Sequence, residues 1–138
     1  MENSEVRLST PDVSHIDAAV EGLRRAVRQE FIVLGLLTRA WLRFLTDART
    51  GPESAQEDLD EAWEIAERGP MRLFMADIHL HRARLFFREP EYPWNKNLDG
   101  TPRGPKDDLA AAEKLINACG YHRRDEELAD AKLAILAP

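Results

Sequence analysis

The sequence predicts an all-α protein: an antiparallel array of helix hairpins, about six helices long, closed by a C-terminal capping helix. Three observations carry this expectation. Apolar residues recur at helical spacing along most of the chain, and strand-like alternation is nearly absent. Glycine and proline gather at a few points between those segments, where they punctuate rather than interrupt. One spacing of small and large apolar residues returns in three separate segments. A chain of 138 residues fits a single domain with a core of its own.

Each helix has local signals. Helix 1 is expected over about 11–30, with Thr10 ahead of Pro11, because proline suits the first helical position. Ser14 with Asp17 is a competing cap. Helix 2 is expected over about 32–48. Leu37, Ala40, Trp41 and Phe44 spread apolar character around it, as in a helix buried on two sides. Residues 47–52 then break the pattern, with Gly51 and Pro52 as punctuation. Ser54 and Glu57 form a capping box that opens helix 3. Gly69 and Pro70 end it, with Gly69 as the C′ residue. Helix 4 is expected over about 71–88. Four prolines and two glycines between 90 and 105 forbid regular structure in the next segment. Helices 5 and 6 follow at about 106–119 and 124–136.

Between them stands CGYHRRDEEL, residues 119–128, which reads as a joint. Gly120 suits the left-handed residue after a helix, and Tyr121 then packs on Ile116. His122, Arg123 and Arg124 lie at a carbonyl end, and Asp125, Glu126 and Glu127 at the next amide end. Helix polarity accounts for this charge order. An anion-binding or partner-binding arginine pair is the competing reading. Leu128, Ala131 and Ile135 give helix 6 one apolar stripe, which fits a lid with a polar outer face.

Charge and composition narrow the function classes. A formal net charge of −6 argues against non-specific contact with nucleic acid or an anionic membrane. The longest apolar run, near residues 31–37, is too short to span a bilayer. The opening MENSEVRLSTP is polar and lacks a signal-peptide core. Residues 1–10 are expected to be a disordered lead, and residues 11–138 one helical domain. A single cysteine, Cys119, excludes an intrachain disulfide and suits a cytoplasmic setting. It is expected to be a buried thiol, with a reactive thiol near His122 and Arg123 as the competing reading. Neither a nucleophile elbow nor a glycine-rich phosphate loop is present. Neighbouring acids such as Asp107 and Asp108 do not face one another on a helix. No catalytic residue and no cofactor is expected.

The recurrent spacing sets the architecture. Ala19, Leu23 and Ala26 stand four and three apart, as do Ala55, Leu59 and Ala62. Pro105, Leu109 and Ala112 keep the same register. DLDEAWEIAERG aligns over DLAAAEKLINAC, and LTRAWLRFL over LHRARLFFR. In the second alignment Leu37, Arg39, Ala40 and Leu42 match Leu80, Arg82, Ala83 and Leu85. Small residues let antiparallel helices approach closely, and large ones fill the adjoining groove. Each pair leaves an apolar face for the next to cover.

Over residues 13–120 this pattern resembles the tetratricopeptide repeat. In that family small residues sit mid-way along helix A, as Ala40 does here, and small–large–small residues sit on helix B, as Ala55, Leu59 and Ala62 do. The resemblance makes helix 1 a B helix without its A helix, and so implies a fragment of a longer protein. The stretches YPW and GYHRRDEEL resemble more narrowly the last repeat and closing helix of arrays at the C-terminus of bacterial multidomain signalling NTPases. The chain has no nucleotide-binding motif, so that ATPase activity does not come with the resemblance.

The resemblance implies a non-catalytic interaction or sensing module in which A helices line a groove. Groove positions on helix 2 are Leu34, Leu37, Thr38, Trp41 and Phe44; on helix 4 they are Asp77, Leu80, His81, Arg84 and Arg88. Leu37 and Leu80 are the ones expected in the core. The binding set is then Thr38, Trp41, Asp77, His81, Arg84 and Arg88, with the arginines suited to an acidic peptide. Tyr92 and Trp94 either contact a partner or fold back over the last repeat. The partner is a protein or peptide, or neighbouring domains of a parent protein. Too few complete repeats leave the helix 1 end uncovered, which makes a homodimer the alternative. Asp77 and His81 share a helical face, as metal ligands would, but no third ligand is evident and no metal site is assigned.

Overall fold

The computed structural model describes residues 10–137, and their side chains from residue 14 onward. The described residues form five α-helices: α1 (Thr10–Leu45), α2 (Ala55–Arg68), α3 (Arg72–Phe86), α4 (Pro105–Cys119) and α5 (Asp125–Leu136), with a 3₁₀ turn at His122–Arg124. They include no strand; one isolated antiparallel bridge joins Lys96 to Pro102. The all-α class is as expected, but the count of six helices is corrected to five. Residues 30–32 stay helical, so helices 1 and 2 of the sequence reading are a single element. Glu30, Phe31 and Ile32 include neither glycine nor proline, and nothing local stops the helix there. The expected lead, residues 1–10, lies outside the described residues except for Thr10, where α1 begins.

The chain divides into two compact units, Met1–Ile32 and Val33–Pro138. In the described part of the first, the small–large–small triplet of α1 is exposed: Ala19 and Ala26 face solvent, and Leu23 is 66% accessible. Ile16, Val20 and Val27 are exposed with it.

In the second unit the same spacing is buried. Ala55, Leu59 and Ala62 of α2 and Ala112 of α4 are all fully enclosed, as is Ala40 of α1. One core cluster joins Val33, Leu36, Leu37 and Ala40 to the α2 triplet and to Ile78, Leu85 and Phe86 of α3. The other joins Ala76 and Leu80 of α3 to Leu109, Ala112 and Ile116 of α4 and Leu128 and Ala131 of α5. Helix α3 thus contributes to both clusters. It is the helix buried on two sides, and the expectation that residues 32–48 would be so is corrected: Leu34, Leu42 and Leu45 are exposed.

Helix ends explain the turns. Asp47 takes a left-handed φ of 68°. The Ala48 N–H then reaches the Arg43 carbonyl at 2.8 Å and the Asp47 N–H reaches Phe44 at 3.2 Å, a Schellman closure built on aspartate. Ser54 caps α2 by accepting from the Glu57 N–H at 3.2 Å, while the Glu57 carboxylate accepts from the Glu53 N–H at 3.0 Å. The box is reciprocal but shifted by one residue. Gly69 is right-handed at φ −69°, so α2 does not end on a left-handed glycine. The Met71 N–H instead reaches back to the Ala66 carbonyl at 2.7 Å. Gly120 does take the left-handed conformation, φ 67°. The Tyr121 N–H bonds the Ile116 carbonyl at 2.9 Å, and the Tyr121 ring packs on the cluster that contains Ile116.

Candidate functional site

Two side-chain constellations stand out in the second unit. The first is a cavity of about 340 Å³ between α1, α3 and Arg124. Leu34, Leu37, Trp41 and Leu42 supply its apolar wall, and Thr38, Asp77, His81 and Arg124 its polar one. Positions 34, 38, 41 and 42 share one face of α1, and positions 77 and 81 one face of α3, because residues three or four apart stack on a helix.

The polar wall is neutral in sum. The Asp77 carboxylate accepts from Arg124 Nε at 2.8 Å and from the Tyr121 hydroxyl at 3.3 Å. The Asp77 hydrogen bond raises the Arg124 pKa, and burial, helped by Asp77, raises that of Tyr121. His81 Nδ1 donates to the Asp77 carbonyl at 2.8 Å. Burial pushes its pKa down, so the imidazole is neutral near pH 7 and Nε2 carries a free lone pair. The Thr38 hydroxyl is turned to its own helix and donates to the Leu34 carbonyl at 3.0 Å. Trp41 meets His81 edge-on at 5.8 Å between ring centroids.

Four of the six expected groove residues, Thr38, Trp41, Asp77 and His81, therefore line one cavity. The other two do not. The Arg84 guanidinium lies 5.6 Å over the Trp41 ring, and that of Arg88 lies 4.9 Å over Phe87. Leu42 and Arg124 are the cavity residues that the expected groove positions omit. The link from Arg124 to Asp77 spans 47 residues, beyond any local pattern. The reading that helix polarity explains the entire HRRDEE charge order is corrected at this residue.

The second constellation surrounds Asp108, which is fully buried in the first turn of α4. Its Oδ1 accepts from His79 Nδ1 at 2.7 Å and Arg103 Nη2 at 2.6 Å. Its Oδ2 accepts from Arg103 Nη1 at 2.8 Å and from the Tyr92 hydroxyl. Burial alone would raise the pKa of this carboxyl. The hydrogen bonds from His79 and Arg103 and the charge of Arg82 overcome that and hold it at about 2. Burial and the adjacent carboxylate drive the Tyr92 phenol far up. Tyr92 thus belongs to the core. Trp94 Nε1 donates to Asp60 at 2.7 Å and its ring packs edge-on to Phe86 at 5.0 Å. The fold-back reading of the proline-rich segment describes both residues.

Cys119 is exposed, which corrects the expected buried thiol. It is the last residue of α4, three positions past the buried Ile116. Among the described residues no cluster of three or more His, Cys, Asp or Glu could hold a metal ion, and no helix is long and apolar enough to cross a membrane.

Fold and cavities together define a helical protein with a buried ionic core and an open, largely apolar recess. Comparison with family models, with curated proteins and with solved structures finds no match for this chain.

Proposed function

We propose that the chain is a non-catalytic binding module that takes an apolar side chain of a peptide or neighbouring domain into the recess beside Trp41. The cavity carries this reading. Its volume of about 340 Å³ lies at the small end of ligand pockets, on the order of 300–1,000 Å³, which suits one or two side chains. Its charges are already paired, so the recess selects for apolar bulk. The neutral His81 offers one acceptor to orient a donor on the ligand. The resemblance to tetratricopeptide repeats, whose A helices line such a surface, agrees with this reading. A parent signalling protein and a cytoplasmic setting remain part of the same proposal.

The test is selection of short peptides from a display library on the wild-type chain, followed by affinity measurement on Trp41→Ala. The expected result is enrichment of peptides with one large aliphatic or aromatic anchor and at least ~10-fold weaker binding to the variant. Enrichment without an anchor, or equal affinity for Trp41→Ala, would refute the recess as the site.

A second reading, self-association, is favoured by the exposed stripe Ile16, Val20, Leu23 and Val27. Its four–three–four spacing is that of a helix-pairing seam. In an antiparallel pair Ile16 would meet the second copy's Val27, and Val20 its Leu23. Asp17 would then flank the second copy's Arg24, with opposite charge. Sedimentation across micromolar to millimolar protein should show a weak dimer that Leu23→Glu abolishes. A monomer throughout that range rejects the pairing.

A further inference from the structure

The internal repeat exposes an imbalance. Arg39 and Arg82 occupy matching positions, as do Asp58 and Asp108. In the first pair Arg39 grips Asp58 through Nε at 3.1 Å to both oxygens and through Nη2 at 2.7 Å. In the second pair that grip is missing. His79, Tyr92 and both terminal nitrogens of Arg103 already occupy Asp108. A carboxylate offers about four lone-pair sites, so none is left for Arg82.

Arg82 is consequently an under-compensated cation inside the protein: it has only a 3.5 Å ion pair to the shared Asp108, with Asp60 acting on it at longer range. It is only 7% exposed. Its Nε has no hydrogen-bond partner among the described residues, and its Nη1 stands 3.5 Å from Asp108 Oδ1 without a hydrogen bond. No other carboxylate among the described residues lies within ion-pairing distance of it. Two indoles flank the guanidinium, Trp63 at 4.8 Å and Trp94 at 5.0 Å. Burial pulls its pKa down, yet a guanidinium keeps its proton at neutral pH. A buried charge without full compensation is costly, and an anion that reaches it from outside removes that cost.

Such access exists. Arg82 lines a cavity of about 470 Å³ together with Trp63, His79, Trp94, Lys96 and Arg103. Glu67 is the one acid on its lining, and it is exposed to solvent. We propose that this cavity is an oxyanion site: the carboxylate or phosphate of a small molecule would pair with Arg82 between the two indoles, with Lys96 as a second cation. This inference is independent of the recess beside Trp41.

The probes are sodium acetate, sodium benzoate and inorganic phosphate, each titrated at constant ionic strength against sodium chloride. The readouts are the indole N–H resonances of Trp63 and Trp94 and the Arg82 Nε–H. A saturable shift of these signals is the expected result. Response to the carboxylates or to phosphate identifies which oxyanion chemistry the site takes, and benzoate tighter than acetate locates the bound body against the indoles. Arg82→Lys should weaken binding at least ~10-fold, since a point charge cannot reproduce the planar fork. Lys96→Ala lies outside the core and should weaken it roughly 2–5-fold by loss of one charge. No saturable shift with any probe overturns the proposal. So does saturable binding of equal strength in Lys96→Ala and Arg82→Lys.

Discussion

Asp108→Ala is expected to lower stability by about 3–5 kcal/mol, since it strands Arg82 and Arg103 as buried, unpaired charge. Arg82, Arg103 and His79 all lean on this one carboxylate, and Tyr92 loses the acceptor for its hydroxyl. Asp108→Asn should cost less, because an amide oxygen still accepts while the charge is lost. Urea unfolding measures both. Combining Asp108→Ala with Arg82→Met should return part of the loss, since the second change removes a stranded cation; strict additivity would show that the two do not share an interaction.

The same group sets an acid limit. Its folded pKa of about 2 lies below the ordinary 3.8. A depressed carboxylate contributes stability that is complete above its unfolded pKa and disappears as the pH falls through the folded one. The contribution is on the order of 2 kcal/mol, lost between about pH 4 and pH 2. Asp108→Asn should flatten the stability curve in that window. An unchanged slope would show that other carboxylates control acid unfolding.

Phe86→Ala is the second large effect, about 3–5 kcal/mol by lost transfer energy and the cavity left behind. Phe86 is completely enclosed and meets Phe44 and Trp94 edge-on, each at 5.0 Å between centroids. It joins the end of α1, the end of α3 and the connector. Phe86→Leu keeps most of the volume and should cost roughly 1–2 kcal/mol. A loss below ~1 kcal/mol for the alanine variant would show that the surroundings collapse into the space, contrary to the tight packing of its neighbours.

Much of this architecture is legible in the residues, because its causes are local. Ser54 and Glu57 announce a helix start, Gly120 a left-handed stop, and the alanines of α2 and α4 the buried faces. Even the pairing of Arg39 with Asp58 is latent in the repeat alignment, which sets the two Arg–Asp pairs side by side. What stayed hidden depends on the path of the chain. Arg103 and Tyr92 reach Asp108 only because the proline-rich connector folds back, and no periodicity records that. Arg124 meets Asp77 across the connector and the whole of α4. The continuity of α1 escaped for the opposite reason. The expected split between helices near residues 30–32 has no local breaker behind it, and the backbone there has no cause to stop. Thr38, Trp41, Asp77 and His81 were accessible from helix spacing together with the repeat resemblance, while Arg84 of α3 and Arg88, just past its end, do not line the cavity.

The connector between α3 and α4 is pinned near both ends, by Glu89 to Arg49 and by Arg103 to Asp108. Between those anchors Leu98 stands wholly in water and Gly100 turns at φ 87°. Lengthening a closed loop is cheap, about 0.6 kcal/mol for each doubling. The segment near residues 98–100 is therefore where this scaffold can accept a grafted epitope, a tag or a new recognition sequence while its ionic centre stays clasped beneath.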